Sequence, residues 1–187
     1  MIEREVAALE SLVSEFSQFA RFPTARLAAA QPNEIVTEAL AVFSGRLDGI
    51  RVRKELAPDL PAARADGELL RRVVVNLIDN AAEAMEDSSA KELELSTRLH
   101  TGHDTVEIAV SDTGQGISPE DKDKLFLPYF STKERGTGLG LAIASRIIAE
   151  HNGLIRAEDN LPVGARFVIE LPLAEPAHAI LSPEVQG

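Results

Sequence analysis

Three stretches of the chain carry apolar residues at the spacing of an amphipathic helix. The longest begins after Asp66, a residue type that caps helices. A shorter one is predicted from Asn33, taken as its N-cap, to about Gly45, and a third covers residues 139 to 150 before the stop signal Asn152-Gly153. The apolar positions that define the long helix are Leu70, Val74, Leu77, Ala81 and Met85.

Shorter segments between these helices have the alternating pattern and composition of β-strands. They cover residues 51 to 56, 63 to 65, 92 to 99, 105 to 110, 154 to 157 and 166 to 171. Gly102 separates the third segment from the fourth, which predicts a hairpin. The order of elements predicts an α+β fold, in which a layer of helices covers one face of a mixed sheet.

The first 22 residues form a separate pattern, with apolar positions at alternating spacings of four and three. The pattern predicts a helix with an apolar seam, which either folds onto its own domain or pairs with a partner helix. Pro23 ends this helix. We interpret residues 23 to 32 as a linker, residues 33 to 173 as the main domain and residues 174 to 187 as a flexible tail. The seam consists of Ile2, Val6, Leu9, Val13, Phe16 and Ala20.

Composition narrows the classes of function. A length of 187 residues with 44% apolar content is enough for one domain with a core. The net charge of −11 argues against binding to nucleic acid or anionic lipid, because both require clustered Lys and Arg. Cysteine is absent, and no apolar run approaches the roughly 18 residues that span a bilayer. We expect a cytoplasmic location without direct membrane contact. The chain could still be the cytoplasmic part of a longer protein that is anchored in the membrane elsewhere.

Two asparagines on the long helix are the first candidate for chemistry. Asn76 and Asn80 are four residues apart, so both side chains leave the same face of the helix. An amide oxygen is a ligand that Mg²⁺ accepts when phosphate oxygens and water complete its octahedron. Two surface asparagines without any site are the alternative interpretation.

The sequence Asp112-Thr113-Gly114-Gln115-Gly116-Ile117 follows directly after a predicted strand. Its glycines permit backbone conformations and close ligand approach that other residues do not. The Asp112 carboxylate at a strand end can accept a hydrogen bond from an exocyclic amine such as adenine N6. A simple turn is the alternative, whereas an aspartic protease is disfavoured because Gln115 stands where that motif continues with Ala or Ser.

The sequence Gly136-Thr137-Gly138-Leu139-Gly140-Leu141 opens the third helix. Glycines at the start of a helix allow backbone N–H groups to reach a phosphate, and the positive end of the helix dipole favours the negative charge. The spacing matches neither the Rossmann pattern nor the Walker pattern, so it predicts a different kind of phosphate cradle.

Between the last two motifs lies an unusually long irregular segment, residues 111 to 138, with a short helix predicted near residues 119 to 125. Three of the eight aromatic residues of the chain, Phe126, Tyr129 and Phe130, are concentrated within it. They predict a hydrophobic anchor for a mobile loop, although isolated aromatic clusters are more often part of a core. Lys133 follows them and is positioned in sequence to meet phosphates.

In this order the four motifs resemble the N, G1, F and G2 boxes of histidine kinases, within the wider group that contains gyrase, the Hsp90 chaperones and MutL. The resemblance covers residues 33 to 172 and includes the His151-Asn152-Gly153 turn and the segment from Gly164 to Phe167. It implies a Bergerat-type ATP site in a two-layer α/β sandwich. In that site Asp112 binds adenine and Asn80 binds Mg²⁺. The remaining expected ATP-binding residues are Asn76, Gly114, Gly116, Ile117, Lys133, Gly136, Thr137, Gly138, Leu139, Gly140 and Leu141.

Two positions depart from the patterns of related proteins. Gyrase-like ATPases carry a Glu at the position of Asn76, and an amide cannot act as the base that this Glu provides. The departure favours phosphoryl transfer to an amino-acid acceptor over hydrolysis, with Asn76 and Lys133 as the expected catalytic residues. Many related kinases carry a Thr at the position of Ala165, which implies a weaker or water-bridged contact with adenine.

The segment from Glu15 to Pro23 resembles the end of the second dimerisation helix in nitrogen-regulation kinases of the NtrB and NtrY type. None of the four histidines of the chain has the acidic neighbour and following proline of a phosphoacceptor, so we expect the acceptor upstream of Met1. The resemblance implies a histidine protein kinase with ATP and Mg²⁺ as cofactors. It also implies a homodimer formed through the dimerisation helix and a response regulator as partner.

Two other functions stay open on the sequence. One is a kinase of the same fold that phosphorylates serine in a partner protein, as anti-sigma-factor kinases do. The other is a non-catalytic module that senses ATP without transferring its phosphate.

Overall fold

The computed structural model describes residues 24–100, 102–132 and 136–175. The predicted N-terminal helix, Lys133 and residues 176 to 187 of the predicted tail lie outside the described residues. The expectations for them stay predictions.

The described chain contains seven strands. Five of them form one mixed sheet in the order β2-β4-β5-β7-β6, in which β2 pairs parallel to β4 and the other pairs are antiparallel. The first and third strands pair separately as a two-stranded sheet. The bounds are β1 (Ala28–Ala30), β2 (Arg51–Leu56), β3 (Ala63–Ala65), β4 (Glu92–His100), β5 (Thr105–Asp112), β6 (Leu154–Asp159) and β7 (Ala165–Pro172).

Four helices accompany these strands in the described residues: α1 (Pro32–Ala41), α2 (Gly67–Ala84), α3 (Pro119–Lys122) and α4 (Gly140–Glu150). The long helix α2 begins as predicted, because the side chain of Asp66 accepts a hydrogen bond from the Leu69 N–H. None of the helices in this part of the chain combines the length and apolar character that crossing a bilayer requires.

Helices α1, α2 and α4 lie on one face of the main sheet and share one core with it. Alternate residues of the strands point into this core, as Ile108 and Val110 do from β5, and the apolar face of α2 meets them with Leu70, Val74 and Leu77. The predicted two-layer α+β fold is thereby confirmed, and the hairpin of β4 and β5 is present.

Two details of the sequence interpretation differ from the structure. The stretch predicted as a linker contains β1, which forms because its backbone pairs with β3 in the register Ala28 to Ala65. Asn33 is also not the N-cap of α1, since Pro32 occupies the first turn and Gln31 precedes it. Asn33 instead donates to the Ala57 carbonyl and accepts from the Thr97 hydroxyl, which ties α1 to the sheet.

The opposite face of the sheet carries a network of charged side chains centred on Glu107. This carboxylate lies on β5 and is only 4% exposed. Its oxygens lie 2.9 Å from Arg166 Nη2, 3.3 Å from Arg156 Nη2, 3.8 Å from Arg98 Nε and 3.2 Å from His100 Nε2. Four basic side chains from three neighbouring strands therefore surround one buried acid.

Candidate functional site

A cavity of about 470 Å³ opens between α2, α4 and the segment that joins β5 to α4. Its wall brings together residues from all four sequence motifs, although they are separated by up to 65 positions in the chain. The predicted site residues that line it are Asn76, Asn80, Gly116, Ile117, Gly136, Thr137, Gly138, Gly140 and Leu141.

One face of α2 forms the floor of the cavity. Asn76 and Asn80 both line it, as their spacing predicts, and the same face continues to Arg72 at one end and to Glu83 at the other. The Nδ2 atom of Asn76 is buried and has no hydrogen-bond partner among the described residues. A buried donor without a partner is costly, so this amide is suited to a ligand that brings an acceptor.

The start of α4 approaches Asn76 closely. A Cβ atom on Gly140 would lie 2.6 Å from the Asn76 Oδ1, so only glycine fits here without displacing the asparagine. Gly138 has a φ of 68°, and its carbonyl accepts a hydrogen bond from the Tyr129 N–H at 2.9 Å. The positive end of the α4 dipole therefore faces the Asn76 side of the cavity, an arrangement that favours phosphate.

Asp112 lies at the other end of the cavity, behind its wall. Its carboxylate is 2% exposed, and Oδ1 accepts hydrogen bonds from the Gly114 N–H at 2.8 Å and the Ala165 N–H at 3.3 Å. Ala165 thus contacts Asp112 through its backbone N–H. The Gln115 N–H donates to the Ala84 carbonyl, which joins this end of the cavity to the end of α2.

Asn160 supports the Asp112 end and escaped the sequence interpretation. Its side-chain N–H donates to the Asp112 carbonyl at 2.7 Å, and its backbone N–H donates to the Gly164 carbonyl. These bonds hold the loop between β6 and β7 against the strand that carries Asp112. The only sequence signal was its place in a loop that ends in a predicted glycine motif.

The aromatic segment anchors the loop only in part. Phe126 and Phe130 pack against the main core beside the buried Leu125, whereas Tyr129 is 62% exposed. The expectation that all three aromatic residues form the anchor is therefore wrong for Tyr129. Its backbone, with a φ of 65°, turns the chain at the contact with Gly138, and this local geometry directs the side chain outwards.

His151 joins the ends of the two helices that flank the cavity. The ring is fully buried, with Nδ1 2.7 Å from the Ile147 carbonyl, and Nε2 accepts the Asp66 N–H at 2.9 Å. This pairing requires the neutral ring with its proton on Nδ1, because a carbonyl can only accept. His151 therefore links the C-terminus of α4 to the N-cap of α2.

The structure thus brings nine of the predicted residues into the wall of one cavity. Asp112, Gly114 and Leu139 lie beside the wall and not in it, and Leu139 is part of the buried interior beneath the start of α4. Lys133 lies outside the described residues. The wall also contains three residues that were not predicted as site residues, Arg72, Glu83 and Gln115. The sequence could have indicated Arg72, because it precedes Asn76 by four residues and so lies one turn earlier on the same face of α2.

A family of known proteins matches this fold and site. The family described as "Histidine kinase-, DNA gyrase B-, and HSP90-like ATPase" covers residues 65–175, more than half of the chain. The chain therefore belongs to this family. Within it, the relatives identify the chain as an ATP-binding catalytic domain of the sensor histidine kinase type.

Two curated relatives illustrate the match. The chain is 34% identical to the sensor histidine kinase ZraS of Salmonella typhi over 175 residues, which cover 92% of this chain and 37% of that protein. It is 34% identical to the nitrogen regulation protein NtrY of Azorhizobium caulinodans over 188 residues, covering 95% of this chain and 24% of that protein. The chain thus spans between about a quarter and somewhat more than a third of these relatives' length, and the predicted resemblance to NtrY is confirmed.

Solved structures agree with the fold. Full-length ShkA in complex with AMPPNP superposes with a TM-score of 0.78 at 30% identity, over 91% of this chain and 37% of that one. The catalytic domain of histidine kinase ThkA gives 0.70 at 30% identity, over 79% of this chain and 96% of that domain. ThkA in complex with the response regulator protein TrrA gives 0.77 at 27% identity, over 92% and 49% of the two chains.

Proposed function

We propose that the chain binds Mg-ATP in this cavity and presents the γ-phosphate to a histidine on a dimerisation helix. The observation that carries the proposal is the meeting of Asn76, Asn80 and the N-terminus of α4 at one cavity, where the Asn76 Nδ2 is buried without a partner among the described residues. Such a set of neutral donors and a helix terminus suits a triphosphate with its metal ion.

Each end of the cavity has a distinct part in this proposal. The Asp112 carboxylate accepts the exocyclic amine of adenine, while backbone N–H groups of residues 136 to 141 bind the phosphates. Asn80 provides an oxygen ligand for Mg²⁺, and Asn76 donates its amide N–H to a phosphate oxygen. The metal would stabilise negative charge on the phosphates.

Transfer is favoured over hydrolysis because the chain has an amide at position 76 and no carboxylate there to activate water. Phosphoryl transfer depends mainly on positioning and electrostatic stabilisation, which the cavity residues and Lys133 would supply. The attacking imidazole would come from the dimerisation helix of a homodimeric parent. A response regulator would then receive the phosphate, and the complex of ThkA with the response regulator protein TrrA supports a partner of this kind.

The test separates binding from transfer. AMPPNP is titrated into the chain by calorimetry with and without Mg²⁺, and we expect saturable binding that weakens when the metal is removed. Radiolabelled ATP is then mixed with the chain and a separately purified dimerisation hairpin of the same kinase. Acid-labile, base-stable label on the hairpin supports the histidine kinase. Binding without label on the hairpin contradicts it and leaves the serine kinase of a partner protein and the ATP-sensing module.

A further inference from the structure

Arg72 extends the polar face of α2 beyond the two asparagines. It precedes Asn76 by four residues, so residues 72, 76 and 80 stand one above another on the helix, and all three line the cavity. Arg71, its neighbour in the chain, is rotated by about 100° around the helix axis and does not line the cavity. The face that carries the asparagines therefore ends in a cation.

The contacts of α2 fix the direction in which a nucleotide would lie. The end that binds adenine is joined to the last turn of α2, because the Gln115 N–H donates to the Ala84 carbonyl. The start of α4 meets the same helix at Asn76. At about 1.5 Å per residue, Asn76 lies about 12 Å along α2 from Ala84, and Arg72 lies about 6 Å further. Among the residues of α2 that line the cavity, Arg72 is thus the one furthest along the helix from the Asp112 end.

The charges along this face are arranged in the same direction. Glu83 lines the cavity near the adenine end, where its carboxylate disfavours phosphate, and Arg72 lines it at the opposite end. The planar donors of its positively charged guanidinium match two oxygens of one phosphate. A triphosphate placed between these two charges would direct its last phosphate towards Arg72.

We propose that Arg72 binds the γ-phosphate and makes the site prefer nucleoside triphosphate over diphosphate. This inference rests on the proposed function, because it assigns a specificity residue to the same cavity. ADP ends one phosphate earlier, at the level of the asparagines and the start of α4, and does not reach the guanidinium. ATP and its analogue AMPPNP do.

The test compares two nucleotides on four forms of the chain. The dissociation constants of Mg-AMPPNP and Mg-ADP are measured by calorimetry for the unmodified chain, R72A, R72K and the matched control R71A. We expect R72A to weaken AMPPNP binding about tenfold or more and to leave ADP within about twofold, since a charge-assisted pair to phosphate is lost. R72K keeps the charge without the planar pair of donors, so its affinity for AMPPNP is expected to lie between those of the unmodified chain and R72A. R71A is expected to change neither dissociation constant.

Several results would overturn the inference. Equal losses for both nucleotides would mean that Arg72 supports the site as a whole, and unchanged AMPPNP binding in R72A would remove it from the γ-phosphate. The retained ADP affinity of R72A also reports that the variant is folded. If the unmodified chain binds neither nucleotide, the proposed function itself fails; if it binds both and R72A behaves like R71A, only the inference about Arg72 fails.

Discussion

Two buried carboxylates on one strand have different surroundings. Glu107 and Asp112 are five residues apart on β5, and because side chains alternate along a strand they point to opposite faces of the sheet. Glu107 lies on the open face among Arg98, Arg156 and Arg166. Asp112 lies on the helix-covered face beside the cavity, and its Oδ1 accepts two backbone N–H groups.

The comparison separates two uses of a buried charge. Burial raises the pKa of Glu107, but the hydrogen bond with His100 and the attraction of Arg166 and Arg98 outweigh it, so the pKa lies below its ordinary value of 4.5. The basic side chains of neighbouring strands therefore already pair with the Glu107 carboxylate in the folded domain. The Asp112 Oδ1 accepts from two neutral backbone donors next to a cavity, an arrangement that suits the adenine-binding role proposed for this carboxylate.

The largest expected effect is on nucleotide binding by Asp112→Asn. The amide presents an N–H where a carboxylate oxygen is needed, so we expect the affinity for Mg-AMPPNP to fall about 100-fold or more. The free energy of unfolding should change by less than about 1 kcal/mol, because the amide oxygen can still accept from Gly114 and Ala165. Calorimetry and urea unfolding measure the two quantities. Unchanged affinity would remove Asp112 from the site.

The reverse pattern is expected for Glu107→Gln. Loss of the buried charge leaves the surrounding arginines less well paired, and we expect the free energy of unfolding to fall by about 2 kcal/mol with nucleotide affinity unchanged. Urea unfolding provides the measurement. Glu158→Gln is the control, since Glu158 belongs to the same network but is more exposed and should cost less than about 1 kcal/mol. Equal losses of stability in the two variants would contradict the expectation that the buried Glu107 stabilises the fold more than the exposed Glu158 does.

The smallest effect concerns pH. Because the pKa of Glu107 is lowered by folding, its contribution is present above the ordinary value of 4.5 and is lost as the pH falls through the lower folded pKa. The difference in stability between the unmodified chain and Glu107→Gln should therefore shrink as the pH falls below about 4.5. Urea unfolding at a series of pH values measures this difference. A difference that grows on acidification would mean that folding raises the pKa of Glu107 instead of lowering it.

The sequence predicted elements with strong local signals. Asp66 caps α2 as expected, and the apolar period of that helix identified its buried face and, with it, the position of Asn76 and Asn80. Strand β1 was missed because alanine carries no strand preference, and the strand exists only through its pairing with β3, distant in the chain. The N-cap assigned to Asn33 failed because Pro32 is itself suited to the first turn.

The parts of the site that escaped prediction depend on tertiary contacts. Asn160 is a polar loop residue whose role appears only when β7 places its loop next to Asp112. Arg72 is the exception, because its spacing of four residues from Asn76 is a local signal that separates it from Arg71 and that the sequence interpretation did not use. Tyr129 is an aromatic residue of the kind expected in a hydrophobic anchor, but the backbone turn at its contact with Gly138 directs the side chain towards solvent.

The imidazole of His151 has a consequence for how the domain can move. It fastens the two helices beside the cavity at the end that lies away from the start of α4, because the Asp66 N–H donates to Nε2. Sliding of one helix along the other would break this hydrogen bond. We therefore expect this bond to oppose a change in the spacing between Asn76 and Gly140 when a nucleotide binds.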